Sequence, residues 1–133
     1  MSPIAAAALA AYGVDFVVVG GCALVLLDRE SRCADLDIVP DLNAGNMNRL
    51  AAALDALGAT ARPSVRAMVE RPLTSVESPY GRIDVLVRRA CIEYRSLASS
   101  ATVCRVADVD VRVGSVEDVL RLRTRYRQAE RDQ

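Results

Sequence analysis

Val19-Gly20-Gly21-Cys22-Ala23, followed after a polar loop by Asp35-Leu36-Asp37-Ile38, is the stretch on which the reading of this 133-residue chain turns. The residues before it, Val14 to Val19, are β-branched and aromatic, the composition of a buried strand. Two glycines at the strand's end let the chain turn tightly and let a ligand approach the backbone. The N–H groups that open the following short helix, read over Cys22 to Leu27, favour an anion. Asp35 and Asp37 then fall two apart on a second strand, about Ala34 to Val39, ended by Pro40. Side chains alternate along a strand, so both carboxylates project from one face while Leu36 and Ile38 point to the other. Adjacent anions repel, and either a divalent cation between them or a proton on one relieves the repulsion. A lone D-x-D also suits a solvent-facing strand edge, and a lone Gly-Gly pair also suits a plain turn.

A third carboxylate, Asp84, lies in Arg82-Ile-Asp-Val-Leu-Val. Ile83, Val85 and Val87 make the core face of this strand, which leaves Asp84 and Leu86 on the other. An Asp in so apolar a strand is costly without compensation. If its strand lies beside that of Asp35 and Asp37, three oxygen ligands converge on one spot, a set suited to Mg²⁺ or Mn²⁺. Pairing of Asp84 with Arg82 or another Arg is the alternative. The glycines match neither a Walker loop nor a dinucleotide fingerprint.

Outward from these residues the pattern is mixed α/β. Pro3 to Ala11 reads as an apolar helix closed by Gly13. Asp41 or Asn43 caps a helix carrying Met47, Leu50, Leu54 and Leu57, and Gly58 ends it. Ala67 to Glu77 reads as two short strands interrupted by Pro72, and Ile92 to Ser99 as a helix. Thr102 to Val106 and Val109 to Val113 read as strands about an Ala-Asp turn. Ser115 opens a last helix with Val119, Leu122, Tyr126 and Ala129 on its apolar face. The expectation is one domain over residues 1–133, a mixed β-sheet flanked by helices.

Composition narrows the chemistry. Hydrophobic residues make up 52% of the chain and aromatics 4%, so the core is built of Val, Leu and Ala. All 17 basic residues are Arg, balanced by 17 acidic ones, and there is no His. Schiff-base chemistry, a catalytic His and a His-ligated metal are excluded, so any metal site uses carboxylate or Cys. The balanced charge argues against binding nucleic acid through the overall field. Cys22, Cys33, Cys91 and Cys104 are scattered with no C-x-x-C pair, as expected of small buried or half-buried thiols in a reducing cytosol. No apolar run is long enough to span a bilayer and no basic leader precedes one, so a soluble cytoplasmic protein with no membrane partner is expected.

In order, strand, Gly-Gly, helix, loop, D-x-D strand and a lone Asp on a later strand resemble the minimal nucleotidyltransferases of the DNA polymerase beta superfamily. Gly13-Val-Asp-Phe-Val-Val-Val-Gly-Gly, Asp35-Leu-Asp-Ile-Val-Pro-Asp, Arg49-Leu-Ala-Ala-Ala-Leu, Pro79-Tyr-Gly-Arg-Ile-Asp-Val-Leu and Ser115-Val-Glu-Asp-Val-Leu are similar to a bacterial subgroup that includes AbiEii-type toxins. The resemblance spans about residues 4 to 123. It implies a polymerase-beta-like nucleotidyltransferase core and a two-metal transfer of NMP from a nucleoside triphosphate. The acceptor would be a tRNA or other RNA end, a protein hydroxyl or a small molecule, and a toxin of this type would have an antitoxin partner. Asp35 and Asp37 would hold the metal that grips the triphosphate, and with Asp84 a second that activates the acceptor, Asp84 serving also as base. Gly20 and Gly21 would lend N–H groups to the phosphates, with Arg32 and Arg123 as further nucleotide-binding residues. Relatives carry Arg and Thr where this chain has Ser31 and Cys33, and Lys where it has Arg123. Those departures keep open a degenerate member that binds nucleotide or a partner without turnover.

Overall fold

Phe16–Val19 forms a strand, β1, in which all four side chains are buried, because apolar residues in an unbroken run satisfy both faces of a covered sheet. The computed structural model describes residues 2–60, 63–87 and 93–131 of the protein. In it β1 joins β2 (Leu36–Pro40), β3 (Leu73–Ser78), β4 (Gly81–Leu86), β5 (Thr102–Val106) and β6 (Val109–Val113) in one sheet of order β3-β4-β2-β1-β6-β5. Neighbours β1–β2, β3–β4 and β5–β6 run antiparallel, whereas β2–β4 and β1–β6 run parallel. The sheet is mixed, as expected.

The helices are α1 (Ser2–Ala11), α2 (Gly20–Leu26), α3 (Ala44–Ala56), α4 (Val65–Glu70), α5 (Tyr94–Ser99) and α6 (Val116–Arg131). One sheet face, with Val18, Leu36, Ile38, Ile83 and Val85, packs with Leu9 of α1, Cys22 of α2, Leu50 of α3 and Met68 of α4. The opposite face carries Val17, Val19, Val39 and Leu86, covered by Leu97 of α5 and Leu122 of α6. By alternation Asp37 shares this second face with Val39, and Asp84 shares it with Leu86. No helix among the described residues is long and apolar enough to cross a membrane.

Asn43 caps α3 by accepting from the Asn46 N–H at 2.8 Å. The Asn46 side chain is wholly buried, yet its polar atoms are engaged. Its carbonyl accepts from the Asp15 N–H at 2.7 Å, and its amide donates to the Asp15 and Asp41 carbonyls at 2.8 and 2.7 Å. It thereby ties the start of β1 to the end of β2, and helps fix the register that sets Val19 opposite Asp37.

The stretch read as two short strands from Ala67 to Glu77 is instead helix α4 followed by β3. Ser64 Oγ accepts from the Ala67 N–H at 3.1 Å, an N-cap, and only after Pro72 does the side-chain pattern alternate. Pro72 holds Arg71 in extended backbone (ψ 141°) and so ends the helix. The β5–β6 hairpin forms as read, with Ala107 and Asp108 both at positive φ, as a two-residue hairpin turn requires. Tyr126 and Ala129, read as part of the last helix's apolar face, and Ile92, read as the start of α5, have side chains outside the described residues.

Candidate active site

The parallel pairing of β2 with β4 sets Asp37 directly beside Asp84, on the sheet face they share with Val39 and Leu86. The sequence placed both on the non-core side of their strands; the structure adds that the strands are neighbours in this register. Asp84 is 7% exposed. Its Oδ1 receives Arg82 Nε–H at 2.9 Å and Ser75 Oγ–H at 2.7 Å, and Arg82 Nη2 donates to Ser75 Oγ at 3.2 Å. Ser75 faces Asp84 across the β3–β4 ladder, and Arg82 is two residues before it on the same strand face.

Burial, the neighbouring Asp84 charge, a hydrogen bond with Asp84 and the Asp35 charge push the Asp37 carboxyl up to about 8, against a smaller downward pull from Arg82. Asp37 therefore holds a proton near neutral pH in the metal-free protein. Asp35 lies half-exposed just before β2. Among the described residues no group of three or more His, Cys, Asp or Glu is arranged to hold a metal ion. The structure sets Asp37 beside Asp84, with Asp35 near enough for its charge to act on Asp37. The donor chemistry nonetheless fits a divalent cation: oxygen ligands only, side by side, with a repulsion that a cation would remove.

Gly20 sits where β1 gives way to α2, at φ +69°, and an added methyl there would land on the Asp37 carboxyl. Gly21 is different, since a methyl would meet only Cys33 Cβ at 3.8 Å. Cys22 and Cys33 form a disulfide with Cα atoms 5.0 Å apart, which corrects the expectation of free thiols at these positions. α2 lies beside the loop that feeds β2, so two cysteines 11 residues apart meet in space without any motif in the sequence. Cys104 is free and half-buried, and Cys91 lies outside the described residues. Arg32 and Arg123 are both exposed, in the loop before β2 and on α6. Among the described residues the basic side chain paired with Asp84 is Arg82, for which the sequence offered one signal, its spacing of two from Asp84. A cavity of about 450 Å³ opens farther along the same face, between Val39, Pro40, Tyr94 and Ala98.

No protein-family model and no curated protein matches the sequence. Among solved structures, an inferred nucleotidyltransferase from Thermotoga maritima aligns with a TM-score of 0.63 at 13% identity, over 90% of this chain and 78% of that one. ANT(2")-Ia, solved in complex with adenylyl-2"-tobramycin, aligns with a TM-score of 0.61 at 17% identity, over 94% and 73% of the two chains. The six-stranded mixed sheet with its flanking helices is the fold of these nucleotidyltransferases.

Proposed function

On that fold, we propose that the chain is a divalent-cation-dependent nucleotidyltransferase that moves NMP from a nucleoside triphosphate to an acceptor hydroxyl. The observation that carries this reading is the side-by-side placement of Asp37 and Asp84 on parallel strands, with Gly20 against Asp37. Asp37 and Asp84, with Asp35 as a further oxygen ligand, would hold Mg²⁺ or Mn²⁺. That ion supplies charge neutralisation on the phosphates and lowers the pKa of the acceptor hydroxyl.

The chain's own part is to position and to hold protons. Gly20 and Gly21 offer backbone N–H groups to the phosphates, and Arg32 and Arg123 add charge at the rim. Asp84 takes the hydroxyl proton as the acceptor oxygen bonds to the α-phosphorus and pyrophosphate leaves. None of this needs the His and Lys that the chain lacks.

The adenylylated aminoglycoside in the ANT(2")-Ia complex supports a small-molecule hydroxyl as one acceptor class, beside an RNA end or a protein. A toxin role with a neighbouring antitoxin and a cytoplasmic location belong to the same reading. A second reading is favoured by the ion pair that already occupies Asp84: a degenerate member that binds nucleotide without turnover.

Label transfer separates the two. The protein is incubated with Mg²⁺ or Mn²⁺, each α-labelled NTP, and total RNA, lysate protein or polyhydroxylated small molecules, with Asp37→Ala as control. Label transferred by the wild type alone is the expected result and names nucleotide and acceptor class. Metal-dependent NTP binding without transfer selects the degenerate reading, and neither binding nor transfer overturns both.

A further inference from the structure

Asp84 Oδ1 accepts two hydrogen bonds, from Ser75 Oγ–H and Arg82 Nε–H. A cation that ligates Oδ1, alone or together with Oδ2, competes with these donors. The two donors differ in what an approaching cation does to them. Ser75 is neutral, whereas the Arg82 guanidinium is repelled.

They differ also in how firmly they are held. The Asp84 side chain is 11% exposed and the Arg82 side chain 42%, so the guanidinium sits at the rim with open water beside it. It can swing out with its stem still on the sheet, and no core side chain need move. Its hydrogen bonds among the described residues run to Asp84 and Ser75. A buried carboxylate needs a positive neighbour, and Arg82 is that neighbour of Asp84, at 2.9 Å.

Resting on the reading of Asp37 and Asp84 as a cation site, we infer that Arg82 is a displaceable counter-cation: it holds Asp84 Oδ1 in the metal-free protein and gives it up when a divalent cation binds. Arg82 is thus a positioning residue that sets the affinity of the site for metal. It keeps the Asp84 carboxylate aimed across the sheet and makes every bound ion compete with an internal charge.

Two measurements test this without reference to turnover. The first follows the Arg82 Nε–H resonance in ¹⁵N-labelled protein during a Mg²⁺ titration. It should leave its hydrogen-bonded position with the same midpoint as ion binding, and should not move in Asp37→Asn. The second is Mn²⁺ affinity by electron paramagnetic resonance. Arg82→Gln should bind about ten-fold tighter than the wild type, the scale of one lost charge-assisted hydrogen bond. Arg82→Lys keeps the charge without the bridge to Ser75, and should fall between the two. It also serves where Arg82→Gln folds poorly.

Ion binding with the Arg82 resonance unmoved and the Arg82→Gln affinity unchanged overturns the counter-cation role and leaves the cation site standing. Binding by Arg82→Gln but not by the wild type supports the role in its strongest form. If neither protein binds an ion, the cation site falls and the role of Arg82 with it.

Discussion

Gly20 and Asp37 are packed so that any side chain at residue 20 displaces the Asp37 carboxyl. The backbone adds a second constraint, since φ +69° is a region that residues with a Cβ rarely adopt. Gly20→Ala is expected to destabilise the fold by about 1–3 kcal/mol and to abolish metal-dependent nucleotide binding. Gly21→Ala meets ordinary contact with Cys33 and should leave both nearly unchanged. Urea unfolding and a nucleotide-binding isotherm on the two variants check this. Equal behaviour would remove the special role of Gly20.

The raised Asp37 carboxyl makes metal-free stability depend on pH. The unfolded chain releases this proton near its ordinary value of 3.8, whereas the folded chain keeps it up to about 8. Between those values the folded state binds the extra proton, so stability falls as pH rises and levels off above about 8. Urea midpoints measured in EDTA from pH 4 to 9 should decline across that window. Asp37→Asn, which is uncharged throughout, should flatten the decline and be the more stable protein at pH 8. A flat wild-type profile would contradict the burial assigned to Asp37.

Thr74 on β3 places its hydroxyl in the main core beside Val85, with no hydrogen-bond partner among the described residues. An unpaired buried hydroxyl costs about 1–3 kcal/mol, and Val has the same shape without it. Thr74→Val is expected to raise stability by about 1 kcal/mol, read as a higher urea midpoint at unchanged slope. A loss of stability would show that the hydroxyl is satisfied after all.

The Cys22–Cys33 disulfide closes a short loop that contains Arg32 and ends just before Asp35. Loop-closure entropy for a ring of this size is worth about 3 kcal/mol of stability. Dithiothreitol should lower the melting temperature, and Cys33→Ser should reproduce the reduced value with or without reductant. Identical melting of oxidised and reduced protein would place the strain of the bridge equal to its gain.

What the sequence yields and what it withholds follow from range. Asp35-Leu36-Asp37-Ile38 and Arg82-Ile83-Asp84-Val85 could be assigned to faces because alternation is local, and the Ala107-Asp108 turn was legible from its neighbours. The adjacency of Asp37 and Asp84 was not, since parallel pairing joins strands through a long crossover that leaves no local mark. The cap at Ser64 was present in the sequence but masked by the β-branched Val65 and Val69, so α4 was read as strand. The Cys22–Cys33 bridge depends wholly on how α2 settles beside the loop into β2. Arg82 was visible only as a competing partner for Asp84, and its hold on Oδ1 needed the β3–β4 register that brings in Ser75.

The parallel pairing of β2 with β4 has a consequence for how such a molecule can change. The gap between Asp37 and Asp84 is one inter-strand spacing, about 4.8 Å, and the ladder alone maintains it. Everything from Asp41 to Tyr80, with α3, α4 and β3, is the excursion that returns the chain to the neighbouring strand in the same direction. Insertions grafted onto the loops of that excursion can remodel the surroundings of the carboxylate pair while its spacing stays fixed. One sheet register can therefore sit beneath surroundings of very different size, with variation confined to the return path.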